Sequence, residues 1–303
     1  MSKEHGRAFR SQTLSEWLWG WFLIAPTIVG LIVLNIVPIG QTAYLSLFKS
    51  GDFGKGNVYV GFDNYRKMAH DPQVWHALGN TLLYALLVVP LSIAFAMLVA
   101  VLLNGKTRGK SLYRTVYFIP MVAAPAAVTM VWKWLYNEHF GLLNYGLSRL
   151  GMSAVDWTTD PNVAMFSIAV IGIWSVVGYN MVLLLAGLQE IPRDFYEASD
   201  IDGAGKLQRF FVITLPLVSP TLFFVVVTSM IQAMQVFDVI YMMIEVTNPA
   251  YDHTVSLVYL FYNNAFKYFN KGYGSAIVML LLVLILIVTA IQMKVQKKWV
   301  QYL

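Results

Sequence analysis

The sequence predicts an all-α polytopic membrane protein with six transmembrane helices, and three observations carry that reading. Of 303 residues, 58% are apolar and 12% charged, where an ordinary soluble domain carries about a quarter charged residues. The mean hydropathy is +0.60. Six stretches each supply the roughly 20 apolar residues that a helix needs to cross a hydrocarbon core about 30 Å thick. A water-soluble fold of this size has too few charges here to cover its outside. The composition excludes a soluble enzyme, a disordered chain and a nucleic-acid binder. With no cysteine there is no disulfide, thiolate metal site or thiol nucleophile, and His5, His70, His76, His139 and His253 show no metal-ligand spacing.

The first span, Leu18–Pro38, follows a polar, basic lead. It is too long for a signal-peptide core and no small-x-small cleavage site follows, so it reads as a retained helix. The second, Leu78–Leu103, is uninterrupted except by Pro90. The third, Tyr113–Leu135, carries Pro120 and Pro125, and the fifth, Leu217–Met243, carries Pro220 and Asp238. Neighbouring helices tolerate such prolines in a membrane, and kinks are expected there. The fourth is Val163–Leu188 and the sixth Ser275–Met293. Runs this long suit helices rather than the alternating pattern of barrel strands. No internal repeat or low-complexity linker divides residues 1–303, which read as one membrane domain.

Six spans put both termini on one side. Of the 21 Lys and Arg, 13 fall on that side, among them Lys106, Arg108, Lys110 and Arg114; eight, including Lys49 and Lys55, fall on the other. Lys and Arg accumulate on the cytoplasmic face, so both termini are expected inside a cytoplasmic membrane. The same rule accounts for the net charge of +5, since no basic run interleaves with aromatics as a nucleic-acid surface would.

The cytoplasmic connection at about Gln189 to Thr214 differs from the others. It holds Glu190, Asp194, Glu197, Asp200 and Asp202, five of the chain's 16 acids. Pro192 suits a first helical turn. Gly203 and Gly205 permit a sharp turn, and a second short helix fits about Leu207 to Ile213. Ala198, Ser199, Gly203 and Ala204 allow close approach, while Phe195, Tyr196, Phe210 and Phe211 offer anchor area to another protein. Its acidity disfavours rest on an anionic inner leaflet.

At this loop the sequence resembles the bacterial ABC importer permeases. Glu197, Ala198, Ser199, Gly203, Ile213, Leu215 and Pro216 match that family's E-A-A-x3-G-x9-I-x-L-P signature, with Ser199 in place of the second Ala. Two further stretches are similar to the binding-protein-dependent sugar-uptake branch, related to the maltose permeases. One is GFDNYRKMAHDPQVWHALGNT, with Asn64, Asn80 and Thr81; the other is LYRTVYFIPMVAAPAAVTMVWKWLYNEHFGLLN, with Tyr117, Pro120, Trp132, Trp134 and Gly141. The resemblance spans nearly the whole chain. It implies the type I ABC importer transmembrane domain, paired with a second, similar permease as a heterodimer. It also implies two cytoplasmic ABC ATPase subunits gripping the two loops, and an extracellular solute-binding protein. On this reading Glu197 pairs with the ATPase, Gly203 turns the loop into its cleft, and Asp202 and Ala204 flank that turn. ATP and Mg belong to the ATPase subunits, because this chain has no phosphate-cradling Gly-x4-Gly-Lys-Ser/Thr sequence. The chain is thus expected to bind no cofactor or metal and to be no enzyme by itself.

Polar residues inside spans face a cavity or another helix. Trp174, Tyr179 and Asn180 on the fourth span, with Gln232, Gln235 and Asp238 on the fifth, are the expected substrate pathway. The last three fall at i, i+3, i+6, close to one helical face. Aromatic faces with amides suit a neutral mono- or oligosaccharide. Glycerol-3-phosphate or another polyol-type solute is the alternative, the phosphate disfavoured because it calls for Arg or Lys and no span interior holds one. An ion-coupled transporter would want more intramembrane acids than Asp238, and a scaffold would need no polar stripe. Trp132, Lys133 and Trp134 read as an interfacial aromatic belt with a snorkelling lysine.

Overall fold

The computed structural model describes residues 2–50, 57–105 and 109–301; Lys55, Lys106 and Arg108 of the charge count lie outside them. The first span is α1 (Ser2–Leu31), a π-helical turn over Ile32–Ile36, and α2 (Val37–Leu45). It runs along the outside of the bundle: Ile32–Ile36 and α2 bury no residue, and Trp17, Trp19 and Trp21 stand exposed near its start. A short antiparallel hairpin follows, β1 (Phe48–Ser50) with β2 (Asn57–Tyr59), then α3 (Asp63–Ala69).

The core is built on α4 (Pro72–Asn104). Asp71 caps its start by accepting from the Gln73 N–H at 3.0 Å, with Pro72 in the first turn. Its apolar residues recur with helical spacing: Ala77, Ala85, Val89, Ala96 and Ala100 are buried, while Leu86, Leu98 and Leu102 face outward. Small residues on the buried stripe bring α8 (Ala164–Glu190) close, as helix pairs in lipid require.

The third span departs from a kinked single helix. Here α5 (Lys110–Val122) and α6 (Pro125–Leu135) meet at 97°. The break lies at Ala123 and Ala124, both extended, because Pro125 pushes its predecessor out of the helical region and starts α6. Pro120 stays inside α5. The pair still connects the two ends of the bundle. Lys110 Nζ lies 3.5 Å from the Asn104 carbonyl at the end of α4, and the Tyr136 hydroxyl donates to the Ser167 carbonyl at the start of α8 at 2.8 Å. After α7 (Leu142–Arg149), α8 returns to the end that carries the 191–218 segment, called the elbow end below.

That segment holds α9 (Arg193–Ile201), α10 (Lys206–Arg209), a π turn over Phe210–Thr214 and α11 (Leu215–Leu217). The fifth span is also broken: α12 (Ser219–Met234) stops at Gln235 and α13 (Asp238–Met243) restarts after it. A far-end segment follows with α14 (Leu257–Tyr262), and α15 (Lys271–Gln296) runs back to the elbow end. The chain end folds against α12, with the Gln301 N–H donating to Ser219 Oγ at 2.9 Å and Trp299 packed edge-on to Phe223.

The far-end segment is fastened to α4 by two residues of the sugar-branch stretch. Asn80 Nδ2 donates to the carbonyls of Asp252 (2.9 Å) and Val255 (3.1 Å), and Thr81 Oγ1 accepts from the Leu257 N–H at 3.0 Å. Asn64 does the same for the hairpin, donating to the Ser46 and Phe48 carbonyls. Tyr251 is buried there, which pushes its phenol up to about 12, and it accepts from Asn263 Nδ2 at 2.9 Å.

Candidate functional site

Two constructions stand out: the elbow, and a cavity in the far half of the bundle. The elbow is helix, glycine turn, helix. Pro192 precedes α9 as its N-cap, and Asp194 sits in the first turn, where the helix dipole favours an acid. The turn closes with Asp202 N–H to the Ala198 carbonyl (3.0 Å), Gly203 N–H to Asp200 (3.2 Å) and Ala204 N–H to Ser199 (3.0 Å). Gly203 has φ of +72°, the left-handed C-terminal turn that side chains resist. Gly205 is ordinary extended backbone at the start of α10, so only one of the two glycines makes the turn.

Ser199, the departure from the signature, is buried and donates to the Tyr196 carbonyl at 2.7 Å, so its hydroxyl is satisfied locally. Glu197, Ala198, Asp202 and Gly203 are exposed, while Ala204, Ile213, Leu215 and Pro216 are half-buried where the elbow enters the membrane. Arg209 pairs with Asp200, and Tyr196 shares a 3.2 Å hydrogen bond with Thr214, joining the two limbs. Two anchors expected from the sequence are therefore not available: Tyr196 and Phe210 pack inward. The exposed large apolar residues of the elbow are Ile201 (88%) and Leu207 near the glycine turn, with Phe195, Phe211 (61% exposed) and Val212 along its limbs. Ile201 and Leu207 are not among the anchors that the sequence pattern marks. Ile201 stands between Asp200 and Asp202, and Leu207 between Lys206 and Gln208, so an isolated large aliphatic among polar residues is the signal.

The cavity is about 210 Å³ and is formed where the fifth span breaks. Gln232, Gln235 and Asp238 all line it, though not as a stripe on one continuous helix. Gln235 closes α12, Phe237 is non-helical (φ −139°), and Asp238 opens α13, where its carboxylate suits a helix start. Ser229, Phe237 and, from α4, Tyr84 and Ser92 add hydroxyl and aromatic groups, and Val88, Val176, Ala233, Val236 and Val239 line the rest. Tyr84 and Ser92 were not singled out from the sequence, although a tyrosine and a serine inside a 33-residue apolar helix are the same kind of signal as Gln232.

The fourth-span residues lie apart from this cavity. Asn180 is buried one hydrogen bond behind it, accepting from Ser229 Oγ at 3.3 Å, and its Nδ2 has no partner among the described residues. Trp174 is 44% exposed and meets Trp132 edge-on at 5.7 Å. Tyr179 is half-buried. Trp132 also contacts Tyr136, which stacks on Trp157, so Trp132 belongs to a packed aromatic cluster and only Trp134 keeps the exposure of an interfacial belt. Between these residues Gly178 lets α5 touch α8: a Cβ there would overlap the Tyr117 carbonyl.

One correction bears on charge. Arg114 falls one turn inside α5, half-buried, and lines a second cavity of about 640 Å³ with Phe118, Val122 and Val182. A span therefore does carry a cation, near its elbow end, whereas the cavity at the broken fifth span has only the acid Asp238 among the charged groups of its wall.

Residues 68–301 match the family model described as "Binding-protein-dependent transport system inner membrane component". The chain is 34% identical over 279 residues to the trehalose/maltose transport system permease protein MalF of Thermococcus litoralis, covering 91% of this chain and 92% of that one. It is also 34% identical over 284 residues to the sn-glycerol-3-phosphate transport system permease protein UgpA of Agrobacterium fabrum, covering 93% and 96%. Its fold is that of a chain in the crystal structure of a bacterial alginate ABC transporter in complex with alginate pentasaccharide-bound periplasmic protein, with a TM-score of 0.82, 20% identity and coverage of 95% and 96%. A multi-pass helical chain with a glycine-turned elbow at one end and a polar cavity in its interior belongs, on this match, to the binding-protein-dependent ABC transport permeases.

Proposed function

We propose that this chain is one transmembrane half of an ATP-driven importer carrying a neutral mono- or oligosaccharide inward. A second, similar permease pairs with it, an extracellular solute-binding protein delivers the sugar, and two ABC ATPase subunits hold ATP and Mg. The elbow end is cytoplasmic and the far end external, with the lipid of the bacterial cytoplasmic membrane around both.

The observation that carries this reading is the exposed apolar surface of the elbow, Ile201, Leu207 and Phe211, beside the exposed carboxylate of Glu197. Large apolar groups raised on a rigid turn into water suit a protein partner. Because Ile213, Leu215 and Pro216 continue the elbow toward α12, a push on the tip is delivered to the span whose break forms the cavity. ATP closing the ATPase dimer would rock the two halves outward-facing, and hydrolysis would reset them. The neutral saccharide follows from the cavity wall: hydroxyl and amide groups of Tyr84, Ser92, Ser229, Gln232 and Gln235 with aromatic Phe237, and an acid rather than a base. The trehalose/maltose relative agrees with it.

Glycerol-3-phosphate is the second reading, favoured by Arg114 and by the UgpA relative. Uptake into proteoliposomes holding the complete transporter separates the two. ATP-dependent uptake of a hexose or hexose oligomer supports the saccharide, and uptake of glycerol phosphate alone refutes it. Uptake that needs an ion gradient and no ATP refutes both.

A further inference from the structure

The cavity at the broken fifth span is small. About 210 Å³ lies below the roughly 300–1,000 Å³ of pockets that enclose drug-sized ligands, so this wall holds about one sugar ring. A longer saccharide must continue onto some neighbouring surface.

The surface next to it is aromatic and leads to the far end. Phe237, on the cavity wall, stacks on Tyr241 with centroids 5.1 Å apart and planes at 22°. Tyr262 lies 5.1 Å from both rings. Phe266 extends the series at 5.5 Å from Tyr262 and is 57% exposed. These rings come from three segments and hold together because Ser256 ties the start of α14 to the broken span.

Over them sits the ammonium of Lys267, 5.1 Å from the Tyr241 centroid, 5.9 Å from Tyr259 and 6.0 Å from Tyr262. Among the described residues no carboxylate forms a salt bridge with it. Its side chain is exposed. A cation held only by ring faces at an exposed site is held weakly, and its four-carbon stem lets it swing away.

We infer that Phe237, Tyr241 and Tyr262 form an outer subsite for a second pyranose ring, with the Lys267 ammonium as the group which that ring displaces. The inference rests on the saccharide reading above. The flat C–H face of a pyranose takes the place of the ammonium on the tyrosine faces, while the first ring enters the cavity.

The test is uptake by the complete transporter in proteoliposomes at saturating loaded binding protein, using neutral hexose mono-, di- and trisaccharides. Tyr262→Ala is expected to lower the rate about tenfold for two and three rings and to leave one ring within twofold. Lys267→Met is expected to raise the two-ring rate at least twofold, because nothing need be displaced. Tyr262→Phe, which restores the ring, is expected to recover the two-ring rate lost in Tyr262→Ala, and failure to recover it would overturn the inference. Equal loss at every chain length for Tyr262→Ala, no loss, or an unchanged or lower two-ring rate for Lys267→Met would overturn the inference while leaving the saccharide reading in place. Wild-type uptake of one ring only would do the same. No wild-type uptake of any saccharide would overturn both.

Discussion

Ser256 Oγ donates a 2.7 Å hydrogen bond to the Val236 carbonyl, at the point where the fifth span breaks. The same oxygen accepts from the Tyr259 N–H at 3.1 Å and so caps α14. A broken helix in a membrane must satisfy the backbone groups it frees. One hydroxyl does that for Val236 and starts the next helix as well, holding Gln235, Phe237 and Asp238 around the cavity.

Replacing Ser256 by Ala removes the cap, about 1 kcal/mol, and leaves the part-buried Val236 carbonyl without this partner, about 1 kcal/mol more. A fall of several degrees in the detergent-solubilised melting temperature is expected, together with reduced uptake. Ser256→Thr should recover most of both. An unchanged melting temperature for the alanine variant would remove Ser256 from this role.

Gly178→Leu is expected to prevent the close approach of α5 and α8, because even a Cβ would overlap the Tyr117 carbonyl. The protein should fail to accumulate or should melt well below wild type, whereas a change at Gly146, where a Cβ meets open space, should be tolerated. Accumulation and thermal stability in membranes measure this.

Gln235→Leu and Asp238→Asn alter the cavity wall without touching the elbow. Uptake at saturating binding protein should fall at least tenfold for Gln235→Leu, with co-purification of the ATPase subunits unchanged. Retained uptake in both variants would move the substrate pathway elsewhere, toward the exposed face of Trp174.

The spans were readable because hydrocarbon demands long apolar runs, and the elbow because glycine, acids and a proline mark a turn whatever surrounds it. Gln232, Gln235 and Asp238 were found together for a reason that proved incomplete. Their spacing suggests one helical face, while the actual arrangement depends on Ser256, some 20 residues later, which no local pattern around the break announces. The 97° bend was legible only as two prolines: Pro120 and Pro125 look alike in sequence, and only the extended backbone at Ala123 and Ala124 distinguishes the one that ends a helix. Arg114 groups in sequence with the basic loop residues Lys106, Arg108 and Lys110, although α5 begins at Lys110. Tyr196 and Phe210 turn inward because Thr214 and the core offer them partners, a long-range contact invisible in the loop itself.

The central claim is that the elbow is the point at which a separate ATPase grips this permease. The chain has no cysteine, so Ile201→Cys gives it a single thiol at the exposed tip, to be paired with single cysteines introduced across the surface of the ATPase subunit. Oxidative cross-linking in membranes is expected to give a permease–ATPase adduct in high yield at one cluster of ATPase positions, with the yield changing when ATP is added. No adduct from Ile201→Cys at any ATPase position, while a thiol placed elsewhere on the permease does cross-link, would contradict the account.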